Sequence, residues 1–147
     1  MKFTFRPLNQ ETLKEIDSWN YGGFVEEVLM NPYFDSFSKT GKFIGPGGCD
    51  GFAAAVDHET VGLFEFNQHG STLEIGLALR PDLIGKGLGV EYVQQGIAFG
   101  VQHYHEKISK ITLSVDAHNK AALRVYEKTG FRKVDEQEND IDMELIL

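Results

Sequence analysis

The sequence predicts an α+β or mixed α/β domain around one twisted, mostly antiparallel sheet of six to seven strands, flanked by about four helices. Three stretches carry this expectation. In residues 72–80, Leu73, Ile75, Leu77 and Leu79 alternate with Glu74, Gly76, Ala78 and Arg80, which is the period of a strand. Over residues 90–104 the spacing of Val90, Val93, Ile97, Val101 and Tyr104 becomes helical. Residues 110–115 alternate again through Ile111, Leu113 and Val115.

The other elements follow in chain order. Residues 3–6 read as a short first strand. A helix over 10–19 places Leu13 and Ile16 on one face, with Gly22-Gly23 closing it. A second helical segment, 24–30, is expected to end before Pro32, because the residue preceding a proline is biased away from helical angles. The glycine-rich stretch 41–51 breaks any period and reads as a loop. Strands over 52–56 and 61–66 join the strand over 72–79 through polar connections at 57–59 and 67–71 that suit hairpins. Gly96 and Gly100 weaken the long helix they interrupt, so they are expected to let it lie close against the sheet. A short helix over 119–128 stops at Gly130, a helix-ending residue, and segments 131–134 and 141–147 form a last hairpin.

A chain of 147 residues suits one domain, taken here as residues 1–147, able to bury roughly 70% of its unfolded surface. Its 14 Lys and Arg against 22 Asp and Glu leave a net charge of −8, which excludes a basic footprint for nucleic acid. The acidity is uneven. Residues 135–147 hold six acidic side chains and no basic one, so residues 1–134 set 14 basic against 16 acidic, a balance of −2. The single cysteine, Cys49, offers no internal disulfide and favours a reducing compartment. No run approaches eighteen apolar residues, and residues 1–6 lack the apolar core of a signal peptide, so a cytoplasmic location and no membrane partner are expected.

The most informative segment is residues 77–90, L-A-L-R-P-D-L-I-G-K-G-L-G-V. Gly85, Gly87 and Gly89 lie between a strand and a helix. Glycine permits unusual backbone angles and removes side chains that would keep an anion away. The first N–H groups of the following helix point outward with the positive end of its dipole, and Lys86 adds a charge beside them. A Walker loop would need Ser or Thr after the lysine, where Gly87 stands. A dinucleotide fingerprint would need glycine at Val90. Neither fits, and a glycine turn with no ligand is the competing reading.

The full spacing resembles the acetyl-CoA-binding motif of the GNAT N-acetyltransferase superfamily, in which a strand, a proline and an R/Q-x-x-G-x-G/A loop open a long helix. Gly87 and Gly89 match its two small positions, while Ile84 replaces the usual Arg or Gln. Further on, Asn119, Ala122, Tyr126, Gly130 and Phe131 look like the family's N-x-x-A-x-x-x-Y-x-x-x-G-F signature. The resemblance covers about residues 52–147 well and the N-terminal third by general layout.

That resemblance implies a GNAT-like fold and an acyltransferase with acetyl-CoA as cosubstrate and no metal. The backbone of Leu77 and Leu79 would pair with the pantetheine arm. Amides of Gly85, Lys86, Gly87, Leu88, Gly89 and Val90 would hold the pyrophosphate, and Asn119 would hydrogen-bond the cofactor or simply cap its helix. Tyr126 would sit near the sulfur as the acid that protonates the leaving thiolate; its competing role is core packing beside Ala122 and Val125. Glu74 is the candidate base, on the side of its strand where Gly76 and Ala78 leave room; its competing role is a solvated strand glutamate. Many family members carry Glu where Ser114 stands, and Asp116 is a weaker alternative. Trp19 and Tyr21 are candidates for the acceptor wall or for the core, and Arg80 for support of the phosphates. His103 and His105 diverge on a helix and need a third ligand to hold metal, and Cys49 has no specified partner base.

The expected reaction is direct transfer to a primary amine in a ternary complex, without a covalent enzyme intermediate. The acceptor is a small molecule or peptide, cationic if the acidic C-terminal hairpin steers it, and a homodimer is an assembly open to the chain. A non-catalytic acyl-CoA-binding sensor on the same fold is the rival reading, kept by Ser114 and Ile84. Nucleotide binding through the glycine turn is a third, disfavoured by both motif failures.

Overall fold

The alternation at residues 72–79 is the middle strand of a seven-stranded sheet in the computed structural model, which describes residues 1–22, 28–104 and 106–147. The strands are β1 (Thr4–Pro7), β2 (Asp50–Val56), β3 (Glu59–His69), β4 (Thr72–Leu79), β5 (Lys110–Asp116), β6 (Arg132–Gln137) and β7 (Asp140–Ile146), ordered β1-β2-β3-β4-β5-β7-β6. Every neighbouring pair is antiparallel except β4 and β5. Four α-helices appear among the described residues: α1 (Gln10–Asp17), α2 (Asn31–Thr40), α3 (Gly89–His103) and α4 (Lys120–Thr129). None of the described helices is long and apolar enough to cross a membrane.

Both faces of the sheet are covered, so the strand period serves two cores. Phe52, Ala54, Phe64 and Phe66 point to one side, where α3 and α4 supply Tyr92, Val93, Ile97 and Tyr126. Ala53 and Leu63, one residue out of phase, point to the other side and meet Leu13 and Ile16 of α1 and Tyr33 of α2. Leu13, Ile16 and Tyr33 are fully buried.

The expected helix at residues 24–30 is corrected in part. Residues 24–27 lie outside the described residues, and 28–30 are not helical. Pro32 does not end a helix; it stands in the first turn of α2. Its missing N–H is harmless there, because first-turn amides have no partner inside the helix. Strand β3 runs on to His69, three residues beyond the expected end, since its ladder with β4 extends to the pair His69 and Thr72. Helix α1 stops at Asp17, with Ser18 rather than the glycines as its cap.

The helical glycines do what their positions suggested. A Cβ on Gly96 would overlap the Phe64 ring, and one on Gly100 would stand 2.5 Å from Phe66. Helix α3 therefore rests its backbone directly on the aromatic floor of the sheet.

Two effects oppose each other in Gly96→Ala. Helix propensity favours alanine by about 1 kcal/mol, whereas overpacking a filled core costs about 1–3 kcal/mol. The ring has β-sheet beneath it, so the clash is expected to win. The denaturant midpoint of Gly96→Ala should fall, and a raised midpoint would show that α3 does not lie on Phe64.

Candidate active site

β4 and β5 part company halfway along. Among the described residues their parallel pairing covers only Thr72–Glu74 against Lys110–Thr112. Beyond it each strand stays with its outer neighbour: β4 pairs with β3 as far as Leu79, and β5 pairs with β7 as far as Asp116. Strand twist then carries the two ends apart and opens a gap in the centre of the sheet.

The ladder decides which backbone groups face that gap. Arg80 N–H donates to the Val61 carbonyl at 2.8 Å, and the β3–β4 register is unbroken. Hydrogen-bonded and non-bonded pairs alternate in an antiparallel ladder, so Leu77 and Leu79 are non-bonded partners of Phe64 and Gly62. Their N–H and C=O groups point away from β3, into the gap. The Leu79 carbonyl accepts from the Tyr21 hydroxyl at 2.5 Å.

A cavity of about 320 Å³ fills the gap. Leu77, Ala78 and Leu79 form one wall, and Ser114, Val115 and Asp116 the other. Ile84, Gly85, Gly87, Leu88 and Gly89 close one end, and Asn119, Val125 and Tyr126 come from the neighbourhood of α4. Such a slot, mostly apolar with backbone polar groups along one edge, has the size and character of a small-molecule site.

The three glycines of the turn have separate reasons. Gly85 and Gly87 have φ of 79° and 78°, and a Cβ on either would meet open space. There the need is conformational. Gly89 is different: its Cβ would come within 2.7 Å of Val125, so it lets α3 start hard against α4. The α3 N-cap, Leu88, makes no side-chain capping bond, so the first amides of that helix depend on other acceptors. A flexible ligand with an anionic end fits this arrangement: open positive-φ glycines and a helix start at one end, strand backbone groups along the wall.

Tyr126 lies in the cavity wall, 8% exposed, with its ring against Phe131 at 5.8 Å. Asn119 also lines the cavity and caps α4, its side-chain oxygen accepting from Ala122 N–H at 3.1 Å. Lys86 and Val90 belong to the turn and helix start but stand outside the cavity lining. Arg80 is turned elsewhere: it bonds Asp82 and Glu59, both at 2.6 Å, and the Asp82 hydrogen bond above all raises its pKa further. It does not reach toward the glycine turn.

Glu74 is not brought to the cavity. It sits in the part of β4 still paired with β5, 54% exposed, 4.0 Å from His69 Nε2. Three residues separate it from Leu77, about 10 Å along a strand. Glu74 shares its face of β4 with Gly76 and Ala78 but precedes the stretch that lines the cavity. Asp116 is in the wall, but its Oδ1 accepts from both the backbone N–H and the ring Nδ1 of His118. Those bonds, the backbone one first, hold its carboxyl below the usual carboxylate range. Ser114 is hydrogen-bonded to Asp142.

Trp19 packs on the second core, and Tyr21 is buried with its hydroxyl at the gap. His103 stacks on Phe99 at 5.4 Å, and His105 lies outside the described residues. Sequence reasoning missed Tyr92, Tyr33 and Glu65. Tyr92 reaches from α3 over Gly62, where any Cβ would overlap it, and donates to the carbonyls of Leu63 at 2.8 Å and Ala78 at 3.2 Å. Total burial, then the nearby charges of Tyr21, Tyr126 and Glu65, push its phenol well above 10. A lone glutamate between Phe64 and Phe66 was the available signal for Glu65.

Comparison with known proteins agrees with this geometry. The family profile described as the acetyltransferase (GNAT) domain matches residues 4–132. The chain belongs to the GNAT acetyltransferase family: it is an acyltransferase whose cosubstrate is acetyl-CoA. Among solved structures, the Campylobacter jejuni N-acetyltransferase PseH in complex with acetyl coenzyme A is similar at 19% identity and TM-score 0.74, with 99% of each chain covered. The Vibrio cholerae spermidine N-acetyltransferase in complex with CoA and spermine gives 18% identity and TM-score 0.73, over 98% of this chain and 95% of that one. A SpeG chimera from Vibrio cholerae and hSSAT gives 20% identity and TM-score 0.75, over 99% and 96%. A search of curated proteins finds no match.

Alanine at φ near 78° costs about 1–2 kcal/mol. Gly87→Ala should lower unfolding stability by about that amount, read from the denaturant midpoint. It should also weaken acetyl-CoA in calorimetric titration by about tenfold, the equivalent of 1.4 kcal/mol. Unchanged affinity would show that the turn does not hold the cofactor.

Proposed function

We propose that this protein, acting as one domain over residues 1–147, transfers the acetyl group of acetyl-CoA to a primary amine by direct attack in a ternary complex. The observation that carries this is the gap between β4 and β5: Leu77 and Leu79 turn backbone groups into it, and α4 brings Tyr126 to the same cavity.

The chain's own groups answer the cofactor in order. The N–H groups of Leu77 and Leu79 are placed to bind the amides of a pantetheine arm, and a donor there also polarises a thioester carbonyl. The backbone from Gly85 to Val90 and the start of α3 hold the pyrophosphate, with the Lys86 ammonium outside it. Asn119 orients the ligand from the opposite wall while capping α4. Acetyl-CoA, when bound, supplies an acyl group activated as a thioester.

Two proton movements then remain. An alkyl ammonium of pKa about 10.4 must become a free amine, at a cost near 5 kcal/mol at pH 7. A nearby carboxylate is suited to take that proton. The leaving thiolate must be protonated, and the phenol of Tyr126, in the wall and mostly buried, is the group of suitable acidity.

The acceptor is a cationic amine. Of the relatives compared, one is a spermidine N-acetyltransferase holding CoA and spermine. In this chain the acidic β6–β7 hairpin folds its tip against the β5 wall, where the Asn139 carbonyl accepts from Ala117 N–H at 2.7 Å. Asp140 pairs across from Asp116 there. This places negative charge beside the cavity mouth and suits a positively charged substrate. The single buried thiol accords with a cytoplasmic enzyme.

A panel of amines with acetyl-CoA, read as release of free CoA thiol, tests the function; a protein that binds acetyl-CoA but acetylates none would be a sensor. Tyr126→Phe should lower kcat by about 100-fold or more while leaving the acetyl-CoA Kd within about twofold. Unchanged turnover in that variant would remove Tyr126 from the acid role.

A further inference from the structure

On the face of the sheet covered by α1 and α2, one carboxylate is held with unusual care. Glu65 lies on β3 directly across from Gly76 of β4, and cross-strand partners share a face. Gly76 has no side chain, and a Cβ there would stand 3.2 Å from Glu65 Oε1. Gly76 also immediately precedes Leu77, whose backbone opens into the cavity. Glu65 is thus beside the start of the cavity wall, whereas Asp116, on the same face and in the wall itself, is engaged by His118. Glu74 is one pleat further away, about 7 Å along the strand.

The other oxygen is fixed from behind. Tyr33, fully buried in α2, donates its hydroxyl to Glu65 Oε2 at 2.5 Å. Cys49 Sγ stands 3.6 Å from the same oxygen and 3.5 Å from the Tyr33 hydroxyl. Burial first, and then the charge of Glu65, raises the Tyr33 phenol far above its ordinary value. Burial pushes the Cys49 thiol up to about 11. Both therefore stay protonated at neutral pH and act as donors, which removes the thiol as a nucleophile. Two glycines make the space: a Cβ on Gly45 or Gly51 would collide with the Tyr33 ring or hydroxyl. A strand that needed only packing here would carry an apolar residue, as it does at Leu63 two positions earlier on the same face. A half-buried carboxylate is costly unless its oxygens are used.

We propose that Glu65 is the acceptor-binding carboxylate of this enzyme: its Oε1 receives the primary ammonium of the acceptor and takes a proton from it, while Tyr33 and Cys49 are positioning residues that fix Oε2. This rests on the N-acetyltransferase reading. The protons balance as follows. Glu65 takes one proton from the ammonium and releases it to solvent. As the carbon–nitrogen bond forms and the carbon–sulfur bond breaks, Tyr126 protonates the sulfur and recovers its proton from the nitrogen. The sum is amide, free thiol and one proton. Glu65 and Tyr126 are both near enough to Tyr92 to oppose its ionisation.

Glu65→Gln is compared with wild type on an alkyl diamine and on a weakly basic aromatic amine that is already neutral at pH 7. Glu65→Gln should lose about 100-fold or more in kcat/KM for the diamine, with the KM of the aromatic amine and the acetyl-CoA Kd each within about threefold. Tyr33→Phe frees Glu65 Oε2, so kcat/KM for the diamine should fall about tenfold with the aromatic amine within threefold; a merely structural role would lower both alike. Equal losses for both amines, a diamine kcat/KM within threefold of wild type, or a loss found instead in Glu74→Gln or Asp116→Asn would each overturn the proposal. Calorimetric titration of the diamine into CoA-bound protein separates it from the parent reading. Binding to wild type that disappears in Glu65→Gln supports the site even without turnover, in which case acetyl transfer alone fails. A wild type that does not bind the diamine overturns the site.

Discussion

The structure depends on an incomplete bond between two strands. β4 is laddered to β3 along its whole length and β5 to β7 along its whole length, yet β4 and β5 share only three paired positions. A parallel strand pair left unzipped in the middle of a sheet exposes backbone donors and acceptors that water or a ligand must satisfy. Here those groups line a cavity rather than the outer surface. The opening is kept by contacts on each side: Tyr92 bridges the Leu63 and Ala78 carbonyls, Tyr21 holds the Leu79 carbonyl, and Asn139 holds the β5 end through Ala117.

Small residues are placed where the large ones need room. Gly96 and Gly100 seat α3 on Phe64 and Phe66, Gly89 sets its start against Val125, and Gly62 admits the Tyr92 hydroxyl. Because α3 is so close to the sheet, its first turn emerges at the mouth of the gap, where Gly85 and Gly87 bend the chain. Core packing and ligand site are thus one construction. The net charge of −8 works against a polyanionic cosubstrate, whereas fixed local dipoles and charges act at short range where the global field is screened.

The two faces of the sheet divide the work. The α3–α4 side carries the larger, more aromatic core and the elements around the glycine turn. The α1–α2 side carries a smaller core in which a polar group, Glu65, is retained and satisfied by Tyr33. An apolar floor beneath a held carboxylate suits recognition of a cation, since the charge is fixed in direction and poorly screened.

Much of this was legible in the sequence where the cause is local. Strand and helix periods at 72–80, 90–104 and 110–115, the left-handed glycines of the turn and the Asn119 and Gly130 caps each depend on neighbours within a few positions. The acetyltransferase resemblance rested on the same local spacing. Pro32 was misread because a proline beside a helix marks either end, and only the packing of Tyr33 on the second core decides which. Glu74 shows a related limit: alternation gives the face of a strand but not the point at which its partner departs, here β5 after Glu74. What only the tertiary structure decided is where distant residues meet. Tyr33 and Glu65, 32 positions apart, become partners, and Gly76 comes to stand across from Glu65. Such contacts are set by sheet register and by which helix covers which face, and neither is encoded in the period of any one segment.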